Sequence, residues 1–341
     1  MNRIAILTGG GDCPGLNAVI RAAVRKALQQ GWEVIGFRNG WKGIIKNEFD
    51  VLDNNAVSGI LHRGGTILGT SRTNPYNDDT SVDEIKETFK KNDLKALIAI
   101  GGEDTLGVAN KLAQEGLPVV GVPKTIDNDL NCTDYTFGFD TALNVATECI
   151  DRLHSTAESH NRVMVVEIMG RHAGWIALEA GLAGGADVIL IPEVPINIDE
   201  VCELIKKRHS RGKTFSIVAV AEGAQLEAQD VTQKEDLDQF GHVRLGGIGN
   251  TLGKFIEDKT GFETRVTVLG HIQRGGTPTA FDRVLGTRFG VKAVDLVIDQ
   301  KWGRMTSLQG NKIVDVDIKE AVGVLKTVPA DYYNMAKTFF G

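Results

Sequence analysis

The chain of 341 residues lacks several features that would assign it to a class directly. It has four cysteines and no C-x-x-C spacing, which indicates free thiols in a reducing compartment rather than a disulfide framework. No run approaches the ~20 apolar residues that a membrane-spanning helix needs. The net charge of −6 argues against a nucleic-acid-binding surface, which would need a basic stripe. With no secretory signal ahead of the first strand-like run, we expect a cytoplasmic protein that binds neither membrane nor nucleic acid.

Two common nucleotide-binding signatures are also missing. No G-x-x-x-x-G-K-[S/T] sequence occurs in the chain, which excludes a Walker A loop. The first glycine-rich loop has Pro14 where G-x-G-x-x-G needs its third glycine. The second strand-like run ends in Arg38 and Asn39 rather than in an acid that could bind a ribose. A nicotinamide-dependent dehydrogenase is therefore not expected.

The chain is rich in glycine instead, with 40 residues against a usual share of about 7%. Short apolar runs alternate with segments of helical period, a pattern typical of an α/β fold with mainly parallel sheets flanked by helices. The predicted helices cover residues 16–30, 83–91, 105–114, 142–158, 175–183, 198–211, 246–259 and 281–299. The polar segment 226–245 is predicted to be a surface excursion.

Several apolar runs end in glycine followed by polar or charged residues. In open α/β sheets, ligands bind just outside the carboxyl ends of the strands, so these ends predict common pockets. The first loop, TGGGDCPG at residues 8–15, precedes a helix and can bind phosphate through backbone N–H groups. A simple tight turn is the alternative interpretation.

The second loop, GGEDT at residues 101–105, places two carboxylates at a predicted strand end. Glu103 there can hold Mg²⁺, which prefers oxygen ligands and substrate phosphates. Alternatively, Glu103 and Asp104 only complement the positive end of a helix dipole, worth ~0.3–1 kcal/mol each.

The third loop, PKTIDND at residues 123–129, carries Lys124 and two acids. In extended chain, Asp127 and Asp129 would share a side, and a carboxylate there can take a proton from an attacking hydroxyl. An Asx-rich turn is the alternative.

Basic and mixed groups lie at the ends of later apolar runs. Arginine suits bidentate recognition of phosphate, although each one alone is more often part of a surface ion pair. The candidates are Arg162, Arg171, Glu222, Arg265, His271 and Arg274. Together with the three loops, they predict a Mg²⁺-dependent phosphotransferase that acts on a sugar phosphate.

The motifs GGGDCPGLNAVIR, GTSR, GGEDT, PKTIDND, MGRHAG, AEG and LGHIQRGG occur in this order along nearly the whole chain. The set resembles the 6-phosphofructokinase family. This resemblance implies two α/β domains with the active site in the cleft between them. The donor domain would comprise residues 1–138 plus 273–323, and the sugar-phosphate domain 139–272 plus 324–341.

The resemblance also implies roles for individual residues. Asp127 would be the base that takes the proton from the 1-hydroxyl of fructose 6-phosphate, and Glu103 would hold Mg²⁺. Gly11 and Arg72 would contact the phosphoryl donor. The sugar phosphate would be bound by Thr125, Asp129, Met169, Gly170, Arg171, Glu222, His271 and Arg274. Arg162 and Arg265 would reach in from a neighbouring subunit, which implies a homodimer or homotetramer.

Two positions bear on the identity of the donor. ATP-using relatives have sequences like GGDGS and PGTIDND in the second and third loops, with glycine at the positions that correspond to 104 and 124. This chain has Asp104 and Lys124 there, and in this it resembles the pyrophosphate-dependent branch of the family. An aspartate fills space that a nucleotide needs and repels its α-phosphate, while Lys124 can neutralise charge on pyrophosphate. We therefore predict reversible phosphoryl transfer from pyrophosphate, with an ATP-dependent kinase as the alternative. A catalytically silent sugar-phosphate regulator is disfavoured because Glu103, Asp127 and Asp129 are all present.

Overall fold

The structure is a computed structural model that describes residues 2–227 and 247–341. Most of the predicted surface excursion, residues 228–245, lies outside the described residues. None of the described helices is both long enough and apolar enough to cross a membrane.

The strands are numbered in the order in which they follow one another along the chain. They are β1 (Arg3–Thr8), β2 (Glu33–Phe37), β3 (Phe49–Val51), β4 (Leu94–Gly101), β5 (Val119–Thr125), β6 (Phe137–Gly138), β7 (Val163–Ile168), β8 (Val188–Leu190), β9 (Ser216–Ala221), β10 (Thr264–Val268), β11 (Arg304–Gln309) and β12 (Lys312–Asp317). Eight of these strands coincide with short apolar runs of the sequence, namely β1, β2, β4, β5, β7, β8, β9 and β10.

The helices lie between and after these strands. They are α1 (Leu16–Gln29), α2 (Trp41–Lys46), α3 (Ser81–Lys91), α4 (Glu103–Gln114), α5 (Phe139–His160), α6 (Trp175–Ala183), α7 (Ile198–Ser210), α8 (Ile248–Thr260), α9 (Ala280–Ile298), α10 (Ile318–Val322) and α11 (Ala330–Lys337). Short 3₁₀ helices cover Pro75–Asn77 and Gly270–Arg274.

Two mainly parallel sheets form the fold, as the sequence predicted. The first has the order β12-β11-β5-β4-β1-β2-β3, with β6 paired to β5, and only β3 and β12 run antiparallel to their neighbours. The second has the order β10-β7-β9-β8 and is parallel throughout. Its strands come from residues 163–268, and those of the first sheet come from 3–138 and 304–317. The exact domain boundaries stay a prediction.

Both faces of each sheet are buried, which explains why the strands read as continuous apolar runs. In β1, Ile4 and Ile6 pack into one core cluster, while Ala5 and Leu7 pack into another on the opposite face. The first of these clusters continues through α5 and α6 to the inner face of the second sheet. One continuous core therefore joins the two sheets and fixes the ends of their strands relative to each other.

Candidate functional site

A cavity of about 460 Å³ lies where the carboxyl ends of strands from both sheets converge. On one side its lining comes from the segments that follow β1, β3 and β4 and from the end of β5 with the turn after it. On the other side it comes from the segments that follow β7, β9 and β10. The lining residues are Gly10, Gly11, Arg72, Gly102, Glu103, Asp104, Thr105, Lys124, Thr125, Asp127, Asp129, Met169, Arg171, His172, Glu222, His271 and Arg274. Thirteen of the sixteen predicted site residues are in this set.

The loops after β1 and β4 are held together by a residue that the sequence did not single out. Thr105 is buried in the first turn of α4, and the backbone N–H of Gly9 donates to the carbonyl of Ile100 at 2.9 Å. A Cβ atom on Gly9 would lie 2.5 Å from Thr105 Oγ1, and one on Gly101 would lie 2.3 Å from Thr105 Cβ. These glycines are needed because the threonine side chain fills the space between the two loops.

Lys124 forms the floor of the cavity beside the first loop. Its side chain is buried, and its ammonium group donates a hydrogen bond to the carbonyl of Gly11. Burial lowers the pKa of Lys124 below its ordinary value, and the positive charge of Arg274 acts in the same direction. The Arg274 guanidinium donates to the carbonyl of Asp12 at 3.4 Å, so two cations lie against the glycine-rich loop. This wall suits an anion.

The Asp127–Asp129 turn differs from the extended chain that the sequence predicted. Asn128 lies between the two acids with a left-handed φ of 52°, and its side-chain oxygen accepts a hydrogen bond from the N–H of Thr136 at 3.1 Å. A left-handed residue bends the chain sharply, and asparagine tolerates that conformation better than most residues. Both carboxylates still line the cavity, but a turn rather than strand alternation places them there.

Asp127 is the more exceptional of the two acids. Its Oδ1 atom is buried and is among the side-chain atoms that have no hydrogen-bond partner in the described residues. Burial and the adjacent charge of Asp129 raise the pKa of Asp127 to about 6. Burial likewise raises the pKa of Asp129, although a hydrogen bond from Thr125 partly offsets this effect. A buried carboxylate with an unused oxygen and a pKa near 6 is well suited to accept a proton at neutral pH.

Glu103 and Asp104 form the first turn of α4, which begins two residues earlier than the sequence predicted. Their charges therefore do lie at the positive end of a helix dipole, and both also line the cavity. The negative charge of Glu103 contributes to raising the pKa of Asp129, so these two acids repel each other across the cavity lining.

This donor set fits a magnesium ion. Carboxylate oxygens are hard ligands, and a divalent cation would neutralise the repulsion among these acids. Within the described residues, no group of three or more His, Cys, Asp or Glu side chains is arranged to hold a metal ion. Mg²⁺ takes most of its ligands from phosphates and water and needs only one or two carboxylates, so Glu103 with substrate phosphates is compatible with it.

The opposite wall comes from the second sheet. Met169 and Arg171 follow β7, and Glu222 follows β9, with its backbone N–H donating to the carbonyl of Ile168 at 2.7 Å. Burial raises the pKa of Glu222, and the charge of Asp127 raises it further. Gln273 is fully buried behind this wall, where its side-chain oxygen accepts a hydrogen bond from the N–H of Met169 at 3.2 Å.

Three predicted site residues do not line the cavity. The carbonyl of Gly170 accepts a hydrogen bond from the N–H of Gly223 at 3.0 Å, so this residue supports the wall from behind. Arg162 precedes β7, and Arg265 is the second residue of β10, so both lie at the amino ends of their strands. There both pair with Glu263, Arg162 at 2.8 Å. Their predicted role in the cavity of a neighbouring subunit stays a prediction.

Sequence reasoning also missed four lining residues. Gly10 and Gly102 lie within loops that were recognised, but no separate role was predicted for them. Thr105 was treated only as the start of a helix. His172 directly follows Arg171 in the MGRHAG motif, and this adjacency was the available signal.

The cavity therefore combines cations, backbone groups of a glycine-rich loop and a buried carboxylate with a raised pKa. Such a set can bind phosphorylated groups and accept a proton from an attacking hydroxyl, which are the requirements of phosphoryl transfer. The fold and the site together indicate a phosphotransferase with an α/β fold.

Comparisons with known proteins agree with this class. The family model described as phosphofructokinase matches residues 3–297, and the chain belongs to this family. It is 58% identical over 341 residues to the pyrophosphate–fructose 6-phosphate 1-phosphotransferase of Amycolatopsis methanolica, covering 99% of this chain and 100% of that protein. It is 54% identical over 342 residues to the ATP-dependent 6-phosphofructokinase of Mycobacterium tuberculosis, with the same coverage. The crystal structure of a pyrophosphate-dependent phosphofructokinase from Marinobacter aquaeolei superposes with a TM-score of 0.84 at 25% identity, covering 97% of this chain and 86% of that one.

Proposed function

We propose that this phosphotransferase reversibly transfers a phosphoryl group between pyrophosphate and the 1-hydroxyl of fructose 6-phosphate. The observation that carries the choice of donor is Asp104, which lines the cavity wall at the start of α4. A carboxylate there occupies space and repels the additional phosphate of a nucleotide. Relatives at 58% identity whose names include pyrophosphate support the same choice.

The two walls divide the work between donor and acceptor. On the donor wall, Gly11 and Arg72 bind pyrophosphate, and the Lys124 ammonium stabilises the charge that develops during transfer. On the acceptor wall, sugar phosphate is held by Met169, Arg171, Glu222 and His271, with Gly170 behind them. Arg274 follows β10 and reaches across to the glycine-rich loop, and it also binds the sugar phosphate.

Asp127 then accepts the proton of the 1-hydroxyl as that oxygen attacks the phosphorus. Its buried Oδ1 atom needs only a hydroxyl donor to complete its hydrogen bonding. Thr125 and Asp129 flank this base, and the Thr125 hydroxyl accepts a hydrogen bond from the N–H of Asp127 at 3.1 Å. In the reverse direction, the same carboxyl returns the proton to the leaving oxygen.

Glu103 is the proposed ligand of Mg²⁺. When bound, the ion would neutralise charge on the phosphate oxygens of the donor. This assignment is supported by the location of Glu103, which lies in the first turn of α4 and lines the cavity.

The alternative donor is ATP. The observation in its favour is that ATP-dependent 6-phosphofructokinases from mycobacteria are 54% identical to this chain over nearly its whole length. The difference from the 58% relatives is too small for overall identity to decide between the donors. The choice therefore rests on the residues of the donor wall.

A donor-comparison assay tests the proposal directly. Purified protein is given fructose 6-phosphate and Mg²⁺ with either pyrophosphate or ATP, and the sugar bisphosphate formed is measured. We expect turnover with pyrophosphate and poor turnover with ATP, and formation of pyrophosphate from the bisphosphate and phosphate. Efficient use of ATP without activity on pyrophosphate would overturn the assignment of the donor but not of the acceptor.

A further inference from the structure

The segment between α10 and α11 runs beside the loop that carries the proposed base. Leu325 forms an isolated antiparallel bridge with Leu130, and the backbone N–H of Lys326 donates to the carbonyl of Asp129 at 2.9 Å. No motif of the sequence drew attention to this segment. Its backbone is nevertheless paired directly with a residue that lines the cavity.

The side chain of Lys326 holds the rest of that loop. Its ammonium group donates to the carbonyls of Thr133 and Asp134, each at 2.9 Å. Together with the backbone bond to Asp129, these contacts fix both ends of the turn that follows the proposed base. One residue thus anchors residues 129–134 at three carbonyl oxygens.

Lys326 also contacts the start of α6, which directly follows the opposite wall along the chain. Its carbonyl accepts a hydrogen bond from the indole N–H of Trp175 at 2.9 Å, and its ammonium lies 5.4 Å from the centroid of the Trp175 rings. Such a cation–π contact adds to the hydrogen bond. Trp175 is the first residue of α6, three positions after His172 in the cavity lining. Lys326 therefore connects the base loop of the first sheet to the sugar-phosphate wall of the second.

The charge of Lys326 also interacts with an acid of the cavity. Burial lowers its pKa to about 8, while attraction to Asp134, Asp129 and Glu179 opposes this shift. The same attraction partly offsets the rise that burial causes in the pKa of Asp129, so Lys326 supplies positive charge next to an acid of the cavity. It does not line the cavity, and it acts through its neighbours.

We propose that Lys326 is a positioning residue that locks the Asp127–Asp129 turn to the start of α6, and so sets the base loop relative to the acceptor wall that binds fructose 6-phosphate. This inference rests on the proposed acceptor substrate, but not on the identity of the donor. Because the contacts of Lys326 are with the base loop and the sugar-phosphate wall, its loss should weaken use of the acceptor. Use of the donor should change little.

The test compares Lys326→Met and Lys326→Arg with wild type, and uses Lys337→Met as a matched control. Lys337 has a similar contact, with its ammonium 5.3 Å from the Tyr333 ring centroid, but lies exposed on α11 away from the cavity. We expect Lys326→Met to raise the KM for fructose 6-phosphate and to lower kcat/KM about tenfold, with the KM for pyrophosphate within about twofold of wild type. Lys326→Arg should recover most of the loss, and Lys337→Met should behave as wild type.

If Lys326 only stabilised the fold, its loss would lower the fraction of active enzyme and therefore the apparent kcat. The KM for fructose 6-phosphate and the KM for pyrophosphate would then both stay unchanged. Binding of fructose 6-phosphate without any donor, measured by calorimetry, separates this inference from the proposed function. If wild type does not bind the sugar phosphate, the proposed function fails. If wild type and folded Lys326→Met bind it equally, or if Lys337→Met is impaired as much, the role of Lys326 is refuted. Should Lys326→Met not fold, Lys326→Gln is measured in its place with the same expectation.

Discussion

At the scale of single residues, adjacent carboxylates in this protein have separate proposed roles. Glu103 and Asp104 both belong to the first turn of α4, and both line the cavity. Glu103 is proposed to hold the metal that a phosphoryl donor needs, whereas Asp104 is proposed to limit the length of that donor. The distinction can be tested at each position independently.

Replacing Asp104 with glycine should open the site to ATP. The change removes the volume and the negative charge that oppose a nucleotide, and the expected result is a lower KM for ATP with weaker use of pyrophosphate. Asp104→Asn is the matched control, because it keeps the volume and removes only the charge. An unchanged affinity for ATP in Asp104→Gly would show that the steric and electrostatic explanation is wrong.

The pKa of Asp127 predicts how activity depends on pH. Because burial and Asp129 raise this pKa to about 6, the carboxylate needed as a base is lost as pH falls below that value. We expect kcat/KM to fall about tenfold per pH unit in that range, well above the pH at which an ordinary aspartate would titrate. The measurement is a pH–rate profile at constant ionic strength.

Ionisation of the substrates can also contribute to the acidic limb of the pH–rate profile, where activity falls with falling pH. The variant Asp129→Asn distinguishes this cause from titration of Asp127. Removing the charge of Asp129 lowers the pKa of Asp127, so the limb should move to lower pH in this variant. A limb that stays in place would assign it to the substrates instead.

At the scale of elements, the start of α5 depends on a residue from a distant helix. Asp282 of α9 is fully buried and accepts hydrogen bonds from the N–H groups of Gly138 and Thr141, at 2.9 and 2.8 Å. Gly138 pairs with Thr125 at the end of β5, beside the proposed base. Asp282 therefore ties the N-terminus of α5 to the strand that carries the site.

Asp282→Ala should lower the free energy of unfolding by about 2–4 kcal/mol, because it leaves buried N–H groups without an acceptor. Urea unfolding followed by circular dichroism measures the change. Asp295→Ala on the same helix is the control. Asp295 forms a partly exposed ion pair with Lys26 at 3.1 Å, so its loss should cost less than about 1 kcal/mol. Equal losses in the two variants would contradict the role of Asp282 as a buried cap.

At the scale of the whole molecule, Arg162 and Arg265 raise the question of assembly. Seven residue steps along β7 separate Arg162 from Met169, about 23 Å at ~3.3 Å per residue, which exceeds the reach of an arginine side chain. Arg265 is paired in register with Met164 at the same end of the sheet. A role for either arginine in catalysis therefore requires the cavity of a second copy.

Mixing two inactive variants tests this shared site. Arg162→Ala lacks the arginine offered to a neighbour, and Asp127→Asn lacks the base of its own cavity. If subunits share sites, a hybrid contains a cavity with an intact base and an intact neighbouring arginine. The expected result is that co-refolded mixtures regain activity that neither variant has alone. Mixtures that stay inactive, despite hybrid assemblies detected by native mass spectrometry, would place both arginines outside catalysis.

The sequence by itself determined the parallel α/β fold and the residue types of the cavity. Apolar runs bounded by glycine mark buried strands, and thirteen of sixteen predicted residues line one cavity because the carboxyl ends of parallel strands meet. Only the tertiary structure decided which ends meet: it placed Arg162 and Arg265 away from the cavity, and it showed the turn at Asn128 and the packing of Thr105. It also brought Lys326 beside Asp129, which lies far earlier in the chain. Local patterns predict elements and their polar ends, but contacts between distant segments depend on how the whole chain packs.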